Sequence, residues 1–560
     1  MRIDSTVVHK RFSLYDIAVF GFIVFVLFVI MLLARRWSAP FVAEAHISLN
    51  PSALFKYTLL SMSRGFIAYF LSLVFTLVVG YAAARSRYLE RVIIPALDIL
   101  QSVPVLGFLP GLMIALIALF PHSEIGLNLV SIIMIFTGQV WNMTFSFYQS
   151  LKSTPNELLE AAKIYNLSRW STFWNVEVPY AMPGLVWNSM MSMAGGWFFL
   201  TVCEAFTLGN KTYTIPGIGS YMALAISKGK VIDQLYGIAA MIGMIVFIDI
   251  FFWRPIVAWS SKFSFAAKEV QHGDSFVLKV LVNSHLVHFL RESFSPIKKK
   301  LFIRKVERID PVVYGKSNPL ADALFYTLIS ILVAASLYEF YLLVKGVSGS
   351  EMTLILSGDA VTALRVYASV AISILWALPV GILIGRNRHL SKRLQPIIQI
   401  AASFPAPLIY PWFVIMFPDL NYSSVLLMML GTQWYILFNV IAGASVVPAE
   451  LEEATRLFDI RGIKKVFALY IPVVFPYLVT GIITAAGGAW NASIVAEYMS
   501  VKGKIYHAFG IGALINNFTD AGRLHLLVIS VVVMSLSVVV INRLIWRPLQ
   551  RYAAERFKLE

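Results

Sequence analysis

The sequence has little of what disulfide-linked proteins, metalloproteins and soluble enzymes depend on. Only one of its 560 residues is a cysteine, Cys203, so no disulfide can form within the chain. Charged residues make up 14%, against about 25% in an average soluble domain. The nine histidines are scattered, and no Gly-x-x-x-x-Gly-Lys-Ser/Thr phosphate loop occurs. We therefore expect no metal site, no catalytic residue and no nucleotide hydrolysis in this chain.

Hydrophobic residues are what the sequence has in excess. They account for 58% of the chain, the mean hydropathy is +0.75, and apolar runs of about 20 residues recur. Runs of that length predict an all-α polytopic membrane protein, because helices satisfy their own backbone polar groups in lipid. The net charge of +16 is assigned to cytoplasmic loops beside anionic lipid rather than to nucleic-acid binding.

Twelve spans are predicted, six in each half of the chain. The first half, 1–259 with a core at 53–259, and the second half, 321–560 with a core at 360–550, are joined by a basic cytoplasmic linker, 260–320. The linker segment 276–294 is open to two interpretations, an amphipathic helix on the membrane surface or a solvated connection. The first span is expected to be retained rather than cleaved as a signal peptide. The predicted spans lie near 14–35, 60–84, 93–120, 126–150, 180–206 and 232–257, and near 321–345, 362–385, 394–417, 422–446, 473–498 and 523–546.

The two halves repeat each other at constant offsets. An offset of 301 pairs Arg64 with Arg365, and an offset of 293 pairs Glu204 with Glu497. Chance similarity between apolar segments would not place rare residue types at constant spacing. An even number of spans in each half gives both halves one orientation, so the repeat is parallel with its axis along the membrane normal. Other pairs at these offsets are Pro95 with Pro396, Trp197 with Trp490, and Gly217-Ile218-Gly219 with Gly510-Ile511-Gly512.

A polar segment interrupts the apolar pattern once in each half, at 155–183 and at 448–476. Each copy predicts a short helix that begins after a proline, then a bend, then a second short helix. The bend is predicted at Asn166 and Asp459, since Asn and Asp tolerate the left-handed conformation best among non-glycine residues. Pro179 and Pro472 are expected to break the second helix before the fifth span. Basic residues in these segments and in neighbouring loops predict that this side is cytoplasmic.

These segments resemble the EAA loop of bacterial ABC importer permeases, and the flanking sequence is similar to the nitrate/sulfonate/bicarbonate/taurine subgroup. The chain departs from the loop pattern at Thr455 and at the glycine position, which Asn166 and Asp459 occupy. The resemblance covers both halves, about 53–259 and 360–550. The residues expected to couple to an ATPase are Glu157, Glu160, Ala161, Ala162, Asn166, Pro179, Glu450, Glu453, Ala454, Thr455, Asp459 and Pro472.

The resemblance implies a type I ABC importer fold and a mechanism. Each EAA loop would form a coupling helix that docks on one of two copies of a separate ATPase, which binds ATP and Mg²⁺. A binding protein would deliver the substrate, expected to be a small anion, on the far side. The chain would be a multi-pass protein of the bacterial inner membrane, with both termini in the cytoplasm.

Six residues are candidates for the substrate pathway or gate. Arg64 and Arg365 are predicted to lie where the second spans begin. Three roles are open for them: attracting an anionic substrate, pairing with an acidic side chain, or snorkelling to lipid headgroups. Glu204 and Glu497, after the fifth spans, are expected to line the outer gate or to pair with those arginines. Trp197 and Trp490 follow glycine-rich stretches, so helix packing is favoured over substrate contact.

Two functions from other classes remain open on the sequence. An ion-gradient-driven secondary transporter also favours twelve spans and a parallel repeat, but it does not predict two EAA-like loops before the fifth spans. A membrane scaffold or sensor that moves no solute would keep the loops and lack substrate-stimulated ATP hydrolysis.

Overall fold

A computed structural model of the chain describes residues 16–21, 24–25, 31, 45–208, 211–263, 276–284, 286–287, 319–501 and 504–556. Most of the predicted first span and most of the basic linker lie outside the described residues.

The regular structure in the described part of the first half is helical apart from one short hairpin. Its strands are β1 Ala205–Leu208 and β2 Lys211–Thr214, which pair antiparallel. Its helices are α1 Pro51–Arg85, α2 Arg87–Ser102, α3 Leu109–Leu119, α4 Ile125–Lys152, α5 Asn156–Ile164, α6 Arg169–Thr172, α7 Val178–Cys203, α8 Ile218–Ser227, α9 Val231–Ile248 and α10 Arg254–Ser260.

Helix α11, Phe276–Asn283, lies in the linker, and the second half repeats the order of the first after one additional helix. Its hairpin joins β3 Tyr498–Val501 to β4 Lys504–His507. Its helices are α12 Pro319–Lys345, α13 Gly349–Gly385, α14 Arg388–Ser403, α15 Tyr410–Met416, α16 Leu420–Ser445, α17 Ala449–Leu457, α18 Gly462–Lys465, α19 Ile471–Ala496, α20 Ile511–Asp520, α21 Leu524–Ile541 and α22 Arg547–Arg556.

Eight helices within the described ranges are long and apolar enough to cross a membrane, or nine when one bent pair counts as a span. The all-α polytopic class is thereby confirmed. The third predicted span, 93–120, is the bent pair, because the helical axis turns by 87° between Arg87–Gln101 and Val105–Leu119. Its counterpart 394–417 is likewise divided, into α14 and α15. Ser102-Val103-Pro104 and Ser403-Phe404-Pro405 lie at these breaks, where proline disfavours a helical residue before it.

The second spans begin well before the predicted residues 60 and 362. Asn50 caps α1 by accepting a hydrogen bond from the Ser52 amide, and Pro51 fits the first turn. Ser348 and Glu351 form a capping box at the start of α13. Capping therefore starts both helices outside the apolar run.

In each half the fourth predicted span packs between the second and the fifth. Helix α4 lies against α1 and α7, and α16 lies against α13 and α19. A single hydrophobic cluster contains buried residues of both halves, for example Met134 and Leu427, so the halves share a core.

The described part of the linker is helical and attached to the N-terminal region. Ser284 Oγ and the Leu286 amide both donate to Asp16 Oδ1, at 2.7 and 2.8 Å. Helix α11 begins at Phe276, where the sequence predicts the amphipathic segment, and its position on a membrane surface stays a prediction.

Candidate functional site

A buried network joins α1 of the first half to the hairpin and to the start of α8. Arg64 Nη1 donates to Glu204 Oε1 at 2.7 Å, and both side chains are almost fully buried. Arg64 also donates to Asn128 Oδ1 and to the Pro216 carbonyl, at 2.8 and 2.9 Å. A buried charge is stable only when it is paired and hydrogen-bonded, and Arg64 has three such acceptors.

Glu204 receives two further hydrogen bonds. Ser61 Oγ donates to Oε1 at 2.6 Å, and the Gly219 amide donates to Oε2 at 2.7 Å. Ser61 Oγ in turn accepts from the Ile218 amide, so the start of α8 is held by the same cluster. Glu204 is the residue after α7, which runs away from the polar segment for 26 residues or about 39 Å.

The second half builds the same network from residues at the same offsets. Arg365 Nη1 donates to Glu497 Oε1 at 2.9 Å, and Arg365 also donates to Asn421 and to the Phe509 carbonyl. Thr362 Oγ1 donates to Glu497 and accepts from the Ile511 amide, as Ser61 does in the first half. The Gly512 amide completes the set with a 3.0 Å bond to Glu497 Oε2.

Glycines let each carboxylate approach the backbone this closely. A Cβ atom at Gly217 would lie 2.2 Å from the Glu204 carboxyl carbon, and one at Gly510 would lie 2.3 Å from Glu497 Oε2. The backbone at both glycines is extended, so space rather than dihedral strain requires glycine here. The two Gly-Ile-Gly motifs are cradles for the glutamates.

The structure corrects the predicted place of the arginines. Arg64 lies 13 residues into α1 and Arg365 lies 16 residues into α13, not where these helices begin. Neither side chain snorkels to a helix end, because each is buried against its glutamate. Of the alternatives left by the sequence, pairing is the one that the structure shows, and a role in a gate stays a prediction.

Each glutamate leads directly into a β-hairpin, which was not predicted from the sequence. The Ile215 amide donates to the Glu204 carbonyl and the Ala508 amide to the Glu497 carbonyl, which closes the base of each hairpin. In the second hairpin, Tyr498 Oη donates to Asp520, and burial, together with that carboxylate, raises the pKa of the Tyr498 hydroxyl. The signal available in the sequence was Gly-Asn and Lys-Gly, the residue pairs that separate the strands.

Trp197 and Trp490 are both buried. The Trp197 ring packs against the backbone of α1, where a Cβ atom at Gly65 would lie 2.5 Å from it. Close helix packing thus accounts for Trp197, and a contact of either tryptophan with substrate stays a prediction.

The polar segments form the predicted helices and bends. Helices α5 and α17 each have nine residues and begin directly after Pro155 and Pro448. Asn166 and Asp459 have φ values of 50° and 51°, and they are the described non-glycine residues with positive φ. The predicted left-handed bend is confirmed in both copies.

Pro179 and Pro472 do not break the helix, which is a correction to the sequence analysis. One π turn, Phe173–Glu177, leads from α6 into α7, and another, Val466–Tyr470, leads from α18 into α19. Each proline is the second residue after the π turn. Proline removes one backbone donor, and a wider turn directly before it accommodates that loss without ending the helix.

The side chains on the two short helices are largely directed to solvent. Glu157, Glu160, Glu450 and Glu453 are exposed, whereas Ala162 and Thr455 are buried against the rest of the chain. At the end of each helix two large apolar side chains are also exposed: Ile164 and Tyr165 at 78 and 79%, and Leu457 and Phe458 at 86 and 79%.

The two copies are attached to the membrane helices differently. Arg85 pairs with buried Glu177 in the first half. Tyr470 takes the position of Glu177 in the second half, and its hydroxyl donates to Glu452 on α17. No cluster of three or more His, Cys, Asp or Glu side chains that could hold a metal occurs in the part of the chain that the structure describes.

Comparison with known proteins points to one family. The profile of the binding-protein-dependent transport system inner membrane component matches residues 72–254 and 377–550, which is more than half of the chain.

Individual relatives agree. The nitrate import permease protein NrtB of Synechococcus elongatus is 29% identical over 157 residues, 27% of this chain and 54% of NrtB. The bicarbonate transport system permease protein CmpB of the same organism is 29% identical over 134 residues, 24% of this chain and 48% of CmpB. The putative aliphatic sulfonates transport permease protein SsuC of Bacillus subtilis is 29% identical over 122 residues, 22% of this chain and 44% of SsuC.

The chain spans about half the length of these relatives. The profile, in contrast, matches it twice, at ranges that carry the two network glutamates, Glu204 and Glu497, and the two polar segments. The chain belongs to the family of binding-protein-dependent transport system inner membrane components, with two such units in one polypeptide.

Proposed function

We propose that this chain is the membrane permease of an ATP-driven importer, and that α5 and α17 are coupling helices that dock on two copies of a separate ABC ATPase. One observation carries the proposal. The two polar segments, 293 residues apart, end in the same left-handed bend and expose the same pattern of side chains. Two matched surfaces on one chain suit a partner that presents two matched grooves.

The exposed side chains at the helix ends fit a docking role. Ile164, Tyr165, Leu457 and Phe458 are large and apolar, yet all are more than three-quarters exposed. Apolar side chains of this size at the tip of a polar segment mark an interaction site rather than a solvated loop. Glu160 and Glu453, one turn before them, add a charged rim that would set the orientation of the partner.

Co-purification of the ATPase tests this assignment. Glu160→Arg combined with Glu453→Arg should weaken ATPase association at least tenfold, because a rim charge is reversed at both contacts. The protein should still insert into the membrane at normal yield, since both side chains are exposed. Lys228→Glu, an exposed charge reversal after α8, is the control and should leave association unchanged. Normal ATPase recovery with the double variant would contradict the docking assignment.

The partners and the substrate are proposed on the same basis. ATP and Mg²⁺ would be bound by the ATPase, and a binding protein would deliver the substrate on the side of the two hairpins. A small anion is the proposed substrate class, since the matched relatives are named for nitrate, bicarbonate and sulfonates. Uptake by a deletion strain supplied with single nitrogen, sulfur and carbon sources would identify it.

The proposed location is the bacterial inner membrane, with α5, α17 and both termini in the cytoplasm. Basic residues near α5 and α17 support this orientation. Reporter fusions after Ser153 and after Lys228 should report opposite sides of the membrane. The same side for both would exclude the proposed topology.

A further inference from the structure

The two halves meet along two edges that the internal repeat makes equivalent, yet the charged residues at these edges differ. Asp98 on α2 corresponds to Gln399 on α14 at the offset of 301. Arg547 at the start of α22 corresponds to Arg254 at the start of α10 at the offset of 293.

On the first edge an ion pair crosses between the halves. Arg547 of the second half donates to Asp98 of the first half. Nearby, the Val105 amide donates to Asn491 Oδ1 of the second half at 2.7 Å. Polar contacts between the halves therefore hold this edge together.

On the second edge the equivalent ion pair is impossible, because Gln399 carries no charge. Arg254 instead donates to Asp249 Oδ2 of its own half at 2.8 Å. The residue equivalent to Asp249 is Asn542, so Arg547 has no such local acid and pairs across the interface. Both acids thus belong to the first half, and the second edge has a neutral amide where the first has a carboxylate.

A cleft lies at this second edge, between α7 of the first half and α14 and α16 of the second. Gln399 and Ser403 line it together with Trp434 and Tyr435, and Met190 and Ala194 face them from α7. The part between these three helices is lined by neutral side chains throughout. An adjoining part, which Gln399 and Ser403 also line, extends to Asp249.

Tyr435 reaches across the cleft. Its hydroxyl would lie 3.1 Å from a Cβ atom at Gly195, so the glycine on α7 leaves room for it. In the first half the residue at this position is Asn142, and the two edges differ in side-chain size as well as in charge.

The chemistry of the cleft suits an oxyanion in transit. The Gln399 amide, the Ser403 and Tyr435 hydroxyls and the Trp434 indole can all donate hydrogen bonds. Neutral donors can bind an anion without the strong attraction of a fixed positive charge, and transit requires a site that also releases its ligand. A carboxylate at position 399 would repel an anion, and the second half has none there.

We propose that this cleft is the transit subsite for the substrate, and that Gln399 determines its preference for a small oxyanion. This inference rests on the proposed importer function. The edge held by Asp98 and Arg547 stays closed, and the ligand passes the edge where Gln399 replaces the acid.

A charge introduced at Gln399 tests the proposal. The complex of the chain with its ATPase and binding protein is reconstituted in liposomes, and uptake of nitrate and of methanesulfonate is measured. Gln399→Glu should lower uptake at least tenfold at pH 7.5, and uptake should recover as the pH falls toward the ordinary pKa of glutamate, about 4.3. Loss of the Gln399 hydrogen-bond donor alone would not produce this recovery.

Matched variants isolate the charge. Gln399→Leu removes the donor without adding charge, so uptake should fall without recovering at low pH. Gln101→Glu makes the same chemical change on α2, at the other edge, and should alter uptake less than twofold. Equal losses for Gln399→Glu and Gln101→Glu, or unchanged uptake for Gln399→Glu, would overturn the proposal.

Cysteine labelling measures the access of charged reagents to the cleft and does not require the substrate to be known. The single native cysteine, Cys203, is buried, so Cys203→Ser gives a background for Gln399→Cys. An anionic methanethiosulfonate should label position 399 about tenfold faster than a cationic one, after correction for their rates with a free thiol. Faster cationic labelling, or no labelling in any nucleotide state, would exclude an anion path here. ATPase co-purification in the same preparation separates this failure from failure of the proposed importer function.

Discussion

Removal of Arg64 should expose the energetic coupling within the buried network. Arg64→Met leaves the Glu204 carboxylate with two hydrogen-bond donors, Ser61 and the Gly219 amide. Asn128 Oδ1 and the Pro216 carbonyl lose the arginine as their donor. Breaking a buried ion pair from one side costs about 3–5 kcal/mol, because the remaining charge is uncompensated. The two side chains are only 1 and 0% exposed, so solvent does not screen the remaining charge. We therefore expect the loss in free energy of unfolding to lie within this range.

A double-mutant cycle measures the coupling. Arg64→Met, Glu204→Gln and the double variant are unfolded by SDS in mixed micelles, with circular dichroism as the signal. The double variant should lose no more free energy of unfolding than either single variant. This corresponds to a coupling free energy of about 3 kcal/mol between the two side chains. Additive losses, or a loss under about 1 kcal/mol for Arg64→Met, would refute the reasoning.

The second half provides a control inside the same molecule. Hydrogen exchange at the Ile218 and Gly219 amides should accelerate in Arg64→Met, because both amides donate to this network. The equivalent amides of Ile511 and Gly512 donate to the intact second network and should keep their protection. Faster exchange in both halves would indicate global destabilisation instead.

The remaining predictions concern single backbone positions and the two proposed surfaces. Gly217→Ala should displace Glu204 and lower the unfolding midpoint in SDS, whereas Gly243→Ala, which meets open space, should not. Asn166→Val should destabilise the first bend by about 1–2 kcal/mol and lower ATPase co-purification, whereas Asn166→Gly should retain both. Glu160→Arg with Glu453→Arg should lower ATPase co-purification at least tenfold, and Gln399→Glu should lower uptake at pH 7.5 with recovery at low pH.

The internal repeat is what made much of the site predictable from sequence. The constant offsets alone identified Arg64 and Glu204, together with their counterparts in the other half, Arg365 and Glu497. The same offsets also link Ser61 to Thr362 and Asn128 to Asn421, which complete the networks and which the sequence analysis did not single out. Small polar residues inside apolar runs carry no periodic signal, so only their repetition could have revealed them.

Local propensity failed where tertiary packing or backbone geometry decided the structure. The prolines at 179 and 472 would break an ordinary helix, but a π turn before each one lets the helix continue. Hydropathy placed a single third span in each half, yet each one bends or divides at a Ser-x-Pro sequence. Hydropathy measures transfer to lipid and is insensitive to such breaks.

Features that occur in both halves stabilise each half separately, whereas features that occur in one half only serve the assembled chain. The arginine–glutamate networks and the left-handed bends occur in both halves with the same partners, so each half stabilises its own hairpin and its own short helix. The two halves differ at the surfaces through which they contact each other or are proposed to contact other molecules. Glu177 and Tyr470 differ beneath the two proposed docking surfaces, and Asp98 and Gln399 differ at the two edges between the halves. A single substrate cannot occupy two equivalent clefts at once, so a fused chain is free to close one edge with an ion pair and to specialise the other.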